Sequence, residues 1–280
     1  MARSCGGARL VYNVSLEQRS LAYRLTGRSV GWAAQDAEWV ALKKDPEFAF
    51  LREVHSDVLG QSLRDLDTAF GRFFSGLAGY PRRRRKGERD SFRLCQRRIR
   101  SKRSGRVHVS IEVRRLNGKW GEVKLPGLEW VRLRWSRSPA GEIRHATVMR
   151  TALGWEISLC VEDGVVPARR REAGPAVGVD AGVAVSFACS DGGLHRVPRP
   201  GRGERERRLG LERRLARQRK GSRRRERSKR QLGRVKAREA RRRQDFLHKL
   251  TTGLVSEHAL IAIEDLKVRN MTRSAKGTIE

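Results

Sequence analysis

Acidic side chains are scarce in this chain. Against 63 Lys and Arg stand 31 Asp and Glu, a net charge of +32 over 280 residues. A globular protein that far from neutrality repels itself unless a polyanion compensates, so the expected partner is nucleic acid. Long apolar runs are also missing. No stretch approaches the ~18 residues of a membrane span and the N-terminus has no continuous apolar core, so a cytoplasmic protein without a membrane partner is expected. The four cysteines, Cys5, Cys95, Cys160 and Cys189, are far apart and form no Cys-x-x-Cys pair. They read as reduced, partly buried thiols, not as a disulfide framework or a zinc site. His55, His108, His145, His195, His248 and His258 are equally isolated, which argues against a zinc hydrolase or deaminase. No GxxxxGK[ST] loop is present, so ATP-driven chemistry is not indicated.

What is present falls into regions of different texture. Hydrophobic content of 38% is enough for a core despite the charge, and the length suits two domains, or one with a large insertion. Residues 15–77 read as helical. Ser15 and Asp45 are candidate N-caps, Pro46 suits a first helical position, and Leu59, Leu63, Leu66, Phe70, Phe73, Phe74 and Leu77 recur at three- and four-residue steps. Residues 79–106 hold 13 basic and two acidic side chains among Gly, Pro and Ser, which reads as a solvated, nucleic-acid-facing loop with Tyr80 and Phe92 as possible stacking surfaces. A basic linker without contacts is the alternative.

From 107 to 162 the period becomes two. Five runs (VHVSIEV, KWGEVKL, EWVRLRW, RHATVMR, GWEISLCV) are separated by Gly- and Pro-containing turns, which predicts a small antiparallel barrel or sheet. In the third run Val131, Leu133 and Trp135 share one face and Arg132 and Arg134 the other, so one side can pack while the other meets phosphate. Trp120, Trp130, Trp135 and Trp155 are expected in the core. Residues 167–175 form a charged, Pro-bracketed connection. Residues 202–249 then carry 22 basic and six acidic side chains, half of the net charge, with leucines spaced for two helices, the second starting near Ser222.

Two apolar strand-like runs end on acid: Ala-Val-Gly-Val-Asp at 176–180 and Ala-Leu-Ile-Ala-Ile-Glu-Asp at 259–265. Taken alone, Asp180 is ordinary turn chemistry, and Glu264-Asp265 could cap a helix beginning at Leu266. Taken together, in the order strand, hairpin, basic helices, strand, they have the arrangement of a ribonuclease-H-like nuclease. There, carboxylates from neighbouring strands share divalent metal beside a phosphodiester. A ribosomal-type RNA-binding protein would also tolerate the charge but has no need of the acidic pair.

The segments GYPRRRRKGERDSFRL, AVGVDAGV, KGSRRRERSKRQL, RRRQDFLHKLTTGLV and above all IAIEDLKVRNM resemble the TnpB/OrfB family of insertion-sequence proteins, related to type V CRISPR effectors. The resemblance runs through nearly the whole chain and is most specific over 174–273. It implies an α+β protein: a helical insert and a small antiparallel β-barrel, followed by an incomplete ribonuclease-H-like (RuvC) α/β domain with long basic helices. The implied divisions are a partial N-terminal strand region at 1–14, a helical recognition insert with basic loop at 15–106, a wedge-like oligonucleotide-binding barrel at 107–166 and a partial nuclease domain at 174–280. It further implies a guide RNA and DNA as partners, Mg²⁺ or Mn²⁺ as cofactor, and Asp180 and Glu264 as catalytic metal ligands. The nucleic-acid contacts it implies are Arg82, Arg83, Arg84, Arg85, Lys86, Arg97 and Arg98 on one side, and Lys220, Arg223, Arg224, Arg225, Lys229, Arg230, Arg241, Arg242 and Arg243 on the other.

Family members continue into a Cys-x-x-Cys zinc ribbon and a third catalytic Asp, and neither falls within these 280 residues. The chain is therefore expected to be short of the family's length at the C-terminus, and also at the N-terminus, and to cleave weakly without the third carboxylate. The alternative is a nucleic-acid-binding remnant without catalysis.

Overall fold

The computed structural model describes residues 1–100, 107–164, 174–182 and 184–266. The chain divides into two compact units, Met1–Val166 and Pro167–Glu280.

In the first unit, helix α1 (Ala2–Thr26) begins at the very start of the chain, and Ser15 lies buried inside it. Strand at 1–14 and an N-cap at Ser15 are thus both corrected. Cys5, Ala8, Val11, Tyr12, Ser15, Leu16 and Arg19 recur at three- and four-residue steps and are the positions the helix buries, a helical period that outweighs the short reading of the opening residues. The Ser15 hydroxyl accepts from Trp39 Nε1 at 2.9 Å, which explains a buried serine in mid-helix. Helix α2 (Trp32–Leu42) follows, then a 3₁₀ segment (Pro46–Glu53) capped as expected by Asp45, whose carboxylate accepts from Glu47 N. In α3 (Ser56–Phe74), Leu59, Leu63, Leu66 and Phe70 are buried while Phe74 and the following Leu77 are exposed, so the apolar stripe ends one turn earlier than predicted.

The basic segment after α3 is not all loop. It contains β1 (Ser91–Cys95) and β2 (Arg98–Arg100), and the alternation in β1 buries Phe92 and Leu94. Phe92 is therefore a core residue and not a stacking surface. The first alternating run divides into β3 (Val107–Val109) and β4 (Glu112–Arg115). The others become β5 (Trp120–Leu125), β6 (Leu128–Arg134), β7 (Glu142–Thr151) and β8 (Gly154–Glu162). No closed barrel forms among the described residues. β7 pairs with β1 and β8, β4 with β5 and β6 form a separate sheet, and β2 pairs with β3.

One core joins helices and strands. Val11, Leu51, Val58 and Leu63 pack in the same cluster as Phe92, Leu94, Ile111, Val123, Leu125, Ala146 and Val148, so no break in the core falls at 106/107. Asp57, at the start of α3 with a side chain only 3% exposed, ties the helix to the sheet: it accepts from Cys95 N at 2.7 Å and from Arg97 Nη2 at 2.9 Å. All four cysteines are unpaired thiols, and Cys160 is exposed where partial burial was expected.

The second unit holds β9 (Ala176–Asp180), β10 (Phe187–Cys189), β11 (Leu194–His195), α4 (Arg202–Arg217), α5 (Arg223–Glu257) and β12 (Leu260–Ile263). Its sheet runs β11-β10-β9-β12, antiparallel except for the β9–β12 pair. Gly221 (φ 82°) turns the chain between the two helices, and Ser222 caps α5, its hydroxyl accepting from Arg225 N at 3.2 Å. With 35 residues, α5 is about 52 Å long. Few apolar positions hold the helix pair together, chiefly buried Leu211 and Leu232. Ion pairs Arg208–Glu239, Lys236–Glu212 and Arg242–Glu204 run along the seam, using three of the few acids in the segment. No helix among the described residues is long and apolar enough to cross a membrane.

Candidate metal centre and nucleic-acid interface

Strand β12 lies parallel to β9 with Leu260 opposite Ala176, Ile261 opposite Val177, Ala262 opposite Gly178 and Ile263 opposite Val179. Asp180 ends β9 and Glu264 directly follows β12, so this register brings the two chain positions to the same end of neighbouring strands, although 84 positions separate them in sequence. Parallel neighbours stand about 4.8 Å apart, and alternation within β9 puts Asp180 on the face that also carries Gly178. Asp180 and Glu264 are both exposed, at the end of the sheet where the strands stop. The turn leaving Asp180 requires glycine, because a Cβ on Gly182 would lie 2.8 Å from the Val185 carbonyl oxygen.

Two exposed carboxylates side by side are a hard-oxygen donor set and fit a Mg²⁺- or Mn²⁺-type ion, which takes one or two protein carboxylates and completes its shell with water or phosphate. Among the described residues, no group of three or more His, Cys, Asp or Glu is placed to hold an ion. A cavity of about 520 Å³ lies elsewhere in this unit, against the C-terminal half of α5 and lined by Asp191, His195, Phe246, Lys249 and Leu254. Asp191 sits in the turn at the opposite end of β9, next to Ser190, whose N–H donates to Gly178 O, so the cavity is distinct from the acidic pair. The His258 ring is buried between Asp191 (3.6 Å) and the Leu254 carbonyl (3.2 Å).

The sequence-assigned cations divide by what they touch. Some work within the fold. Arg84 lies over the Tyr12 ring at 3.9 Å and pairs with Asp65, while its backbone exchanges two hydrogen bonds with the Asn13 side chain. Arg225 closes the C-terminus of α4, donating to the Leu215 and Gln218 carbonyls. Arg97 is held by Asp57, which raises its pKa through the hydrogen bond first and charge second. Arg83 pairs with Glu17, Arg98 with Glu142 and Arg242 with Glu204. Arg82, Arg85, Lys86, Lys220, Arg223, Arg224, Lys229, Arg230, Arg241 and Arg243 are exposed. The last seven of these lie on or beside the α4–α5 hairpin, where like charges at three- and four-residue spacing favour an anionic ligand.

Sequence reasoning put Arg132 and Arg134 on the outer face of β6 but missed the tryptophans that share the outer face of β4–β5–β6. Register places Glu112, Lys124 and Trp130 in one row, Arg114, Glu122 and Arg132 in the next, and Trp120 with Arg134 in a third. Trp120 and Trp130 are thus half-buried beneath cations and not in the core: Arg132 lies 4.7 Å from the Trp120 ring centre and Arg114 4.2 Å from that of Trp130. Trp155 is likewise outside the core, 40% exposed with Arg150 5.9 Å from its ring centre. Trp135 turns inward but is only half-buried; it lies over Gly121, where a Cβ would stand 2.2 Å from the ring. The signal was available in the alternation of EWVRLRW, which groups Trp130 with Arg132 and Arg134.

The OrfB/IS605 family, described as "Probable transposase", matches residues 158–275. A Streptomyces pristinaespiralis protein named "Putative RNA-guided DNA endonuclease" is 36% identical over 277 residues, covering 99% of this chain and 65% of the relative. The Escherichia coli K12 protein named "Putative RNA-guided DNA endonuclease InsQ" is 32% identical over 279 residues, covering 100% and 65%. The chain therefore spans about two thirds of the length of these relatives. It belongs to the TnpB/OrfB family of insertion-sequence proteins.

Proposed function

We propose that this chain takes part in RNA-guided cleavage of DNA, with Asp180 and Glu264 holding Mg²⁺ or Mn²⁺ in a ribonuclease-H-like (RuvC) frame. The observation that carries the reading is the parallel β9–β12 pairing, which brings together the two strand ends that lead into Asp180 and Glu264. The order of strand, antiparallel hairpin, helices and parallel return strand supports the same frame. A divalent ion bound there supplies Lewis-acid stabilisation of charge on a phosphodiester and a more acidic water.

The chain's own contribution is placement. Strand ends position the two carboxylates, Gly182 permits the close turn that leaves Asp180, and the cationic α4–α5 hairpin draws in the nucleic-acid backbone. A guide RNA paired to DNA is the partner we assign to these cations, with sequence read by base pairing and the protein holding phosphates.

The test uses the full chain with Mn²⁺ alone and with a labelled 20-base-pair RNA–DNA heteroduplex. Electron paramagnetic resonance should show Mn²⁺ bound to the wild type and at least tenfold weaker binding in both Asp180→Asn and Glu264→Gln. Heteroduplex affinity in EDTA should be unchanged by either substitution and should fall steeply with salt. Equal Mn²⁺ affinity in all three proteins would remove the metal centre from the proposal. Heteroduplex binding that is insensitive to salt would remove the role given to the basic helices.

A further inference from the structure

Trp120 and Trp130 present a chemistry that the metal centre does not use. Each indole on the outer face of β4–β5–β6 is covered by a guanidinium, and Arg114 is locked in place from the side: its Nε and Nη2 both donate to Glu122 Oε2, at 3.0 and 2.7 Å. A guanidinium is planar, so one face lies on the indole and the other is open to solvent; the Arg114 side chain is 56% exposed. The result is two guanidinium groups over indoles, of which Arg114 is pre-oriented by Glu122. Arg114 and Arg132 stand in one row with Glu122 between them, so their strand positions lie roughly 10 Å apart across the sheet. That separation is much larger than the stacking distance of adjacent bases in a helix and suits an extended strand whose bases are splayed apart.

We propose that this sheet face is a stacking platform for unpaired RNA, with bases lying on the guanidinium planes of Arg114 and Arg132 and phosphates meeting Lys124 and Arg134. The net charge and the cations in every row supply complementarity to phosphate. Stacking selects single strands, because the bases of a duplex are enclosed. The carboxylates favour RNA over DNA. Glu112 and Glu122, standing in rows with these cations, are acceptors that a ribose 2′-hydroxyl can satisfy and deoxyribose cannot. The proposal rests on the reading of an RNA partner but not on Asp180 or Glu264.

The experiment measures binding of the full chain, in EDTA at fixed salt, to a labelled single-stranded RNA 12-mer and to an abasic RNA of the same length. Phosphate contacts are common to the two, so their affinity ratio isolates stacking from the rest of the basic surface. The wild type should prefer the base-containing strand about tenfold. Arg114→Lys with Arg132→Lys keeps the charge and removes the planes; the ratio should fall to within twofold while the salt dependence stays the same. Arg132→Lys alone, at an exposed site that perturbs folding least, should lose part of the preference. No preference in the wild type, or a preference untouched in both variants, overturns the platform. Equal affinity for a DNA 12-mer overturns the assignment to RNA. Since no metal is present and no cleavage is read, failure here leaves the Mn²⁺ result standing, and the reverse holds too.

Discussion

Asp57 offers the sharpest test of how the first unit is assembled. Its carboxylate is 3% exposed and makes two contacts, the backbone N–H of Cys95 in β1 at 2.7 Å and the Arg97 guanidinium at 2.9 Å. Replacing it with alanine leaves the Cys95 N–H partly enclosed without an acceptor, which costs about 1–2 kcal/mol. It also removes a charge-assisted hydrogen bond worth about 1.5 kcal/mol, a figure at the low end because Arg97 is 63% exposed and water screens it. Asp57→Ala should thus destabilise by about 3 kcal/mol and Arg97→Ala by about 1 kcal/mol. The double variant should match Asp57→Ala alone, because the arginine's contribution runs through the aspartate, giving a coupling of about 1 kcal/mol. Urea unfolding followed by tryptophan emission is the assay. All six tryptophans lie between positions 32 and 155, so the signal reports Met1–Val166 and is blind to the second unit. Full additivity of the two substitutions, or a loss below about 1 kcal/mol for Asp57→Ala, would refute the argument that this carboxylate joins α3 to the sheet. It would also return Arg97 to the pool of cations available to nucleic acid.

Other consequences are as direct. Burial, and then the charge of Arg93, lower the pKa of His145, so the unfolded chain takes up that proton first. Stability of the first unit should therefore decline as pH falls through about 6.5, and His145→Gln should flatten that slope in the same urea assay. Burial pushes the Cys5 thiol up to about 11, whereas Cys160 is exposed, so mass spectrometry after brief alkylation at pH 8 should find Cys160 modified and Cys5 intact. Gly121→Ala drives a methyl group into the Trp135 ring and towards the Arg114 carbonyl, at 2.2 and 2.9 Å, and should cost about 2 kcal/mol with a shift in tryptophan emission. Ser222→Ala should remove about 1 kcal/mol from the start of α5, visible as lost helical signal in circular dichroism on heating.

Much of the local structure was legible because it rests on period and punctuation. The basic helix starting near Ser222, the cap at Asp45 and the strand runs from 120 to 162 all follow from spacing and from side chains that hydrogen-bond their own backbone. The misses have physical causes as well. Residues 2–14 carry a helical period weakened by glycine and arginine, and the burial that stabilises it comes from α3 and the sheet, which spacing does not reveal. β1 was hidden because its charged neighbours dominate composition while only Phe92 and Leu94 reach the core. Trp120 and Trp130 were assigned inward on hydrophobicity alone, although alternation already placed Trp130 with Arg132 and Arg134, and Trp120 with Glu122 and Lys124.

Charge and pattern by themselves determined that this chain carries a large cationic excess, that its acids stand at strand ends, and which helices carry the cations, because these depend only on composition and short-range spacing. Only the tertiary structure decided which groups meet. Asp180 and Glu264 become neighbours through one parallel strand pair, Arg84, Arg97 and Arg225 are taken up by contacts within the fold, and two indoles acquire guanidinium covers across a sheet. Each of these depends on register between segments distant in the chain, or on a side chain reaching across to another element, and such contacts are settled by the packing of the whole core and not by any local run of residues.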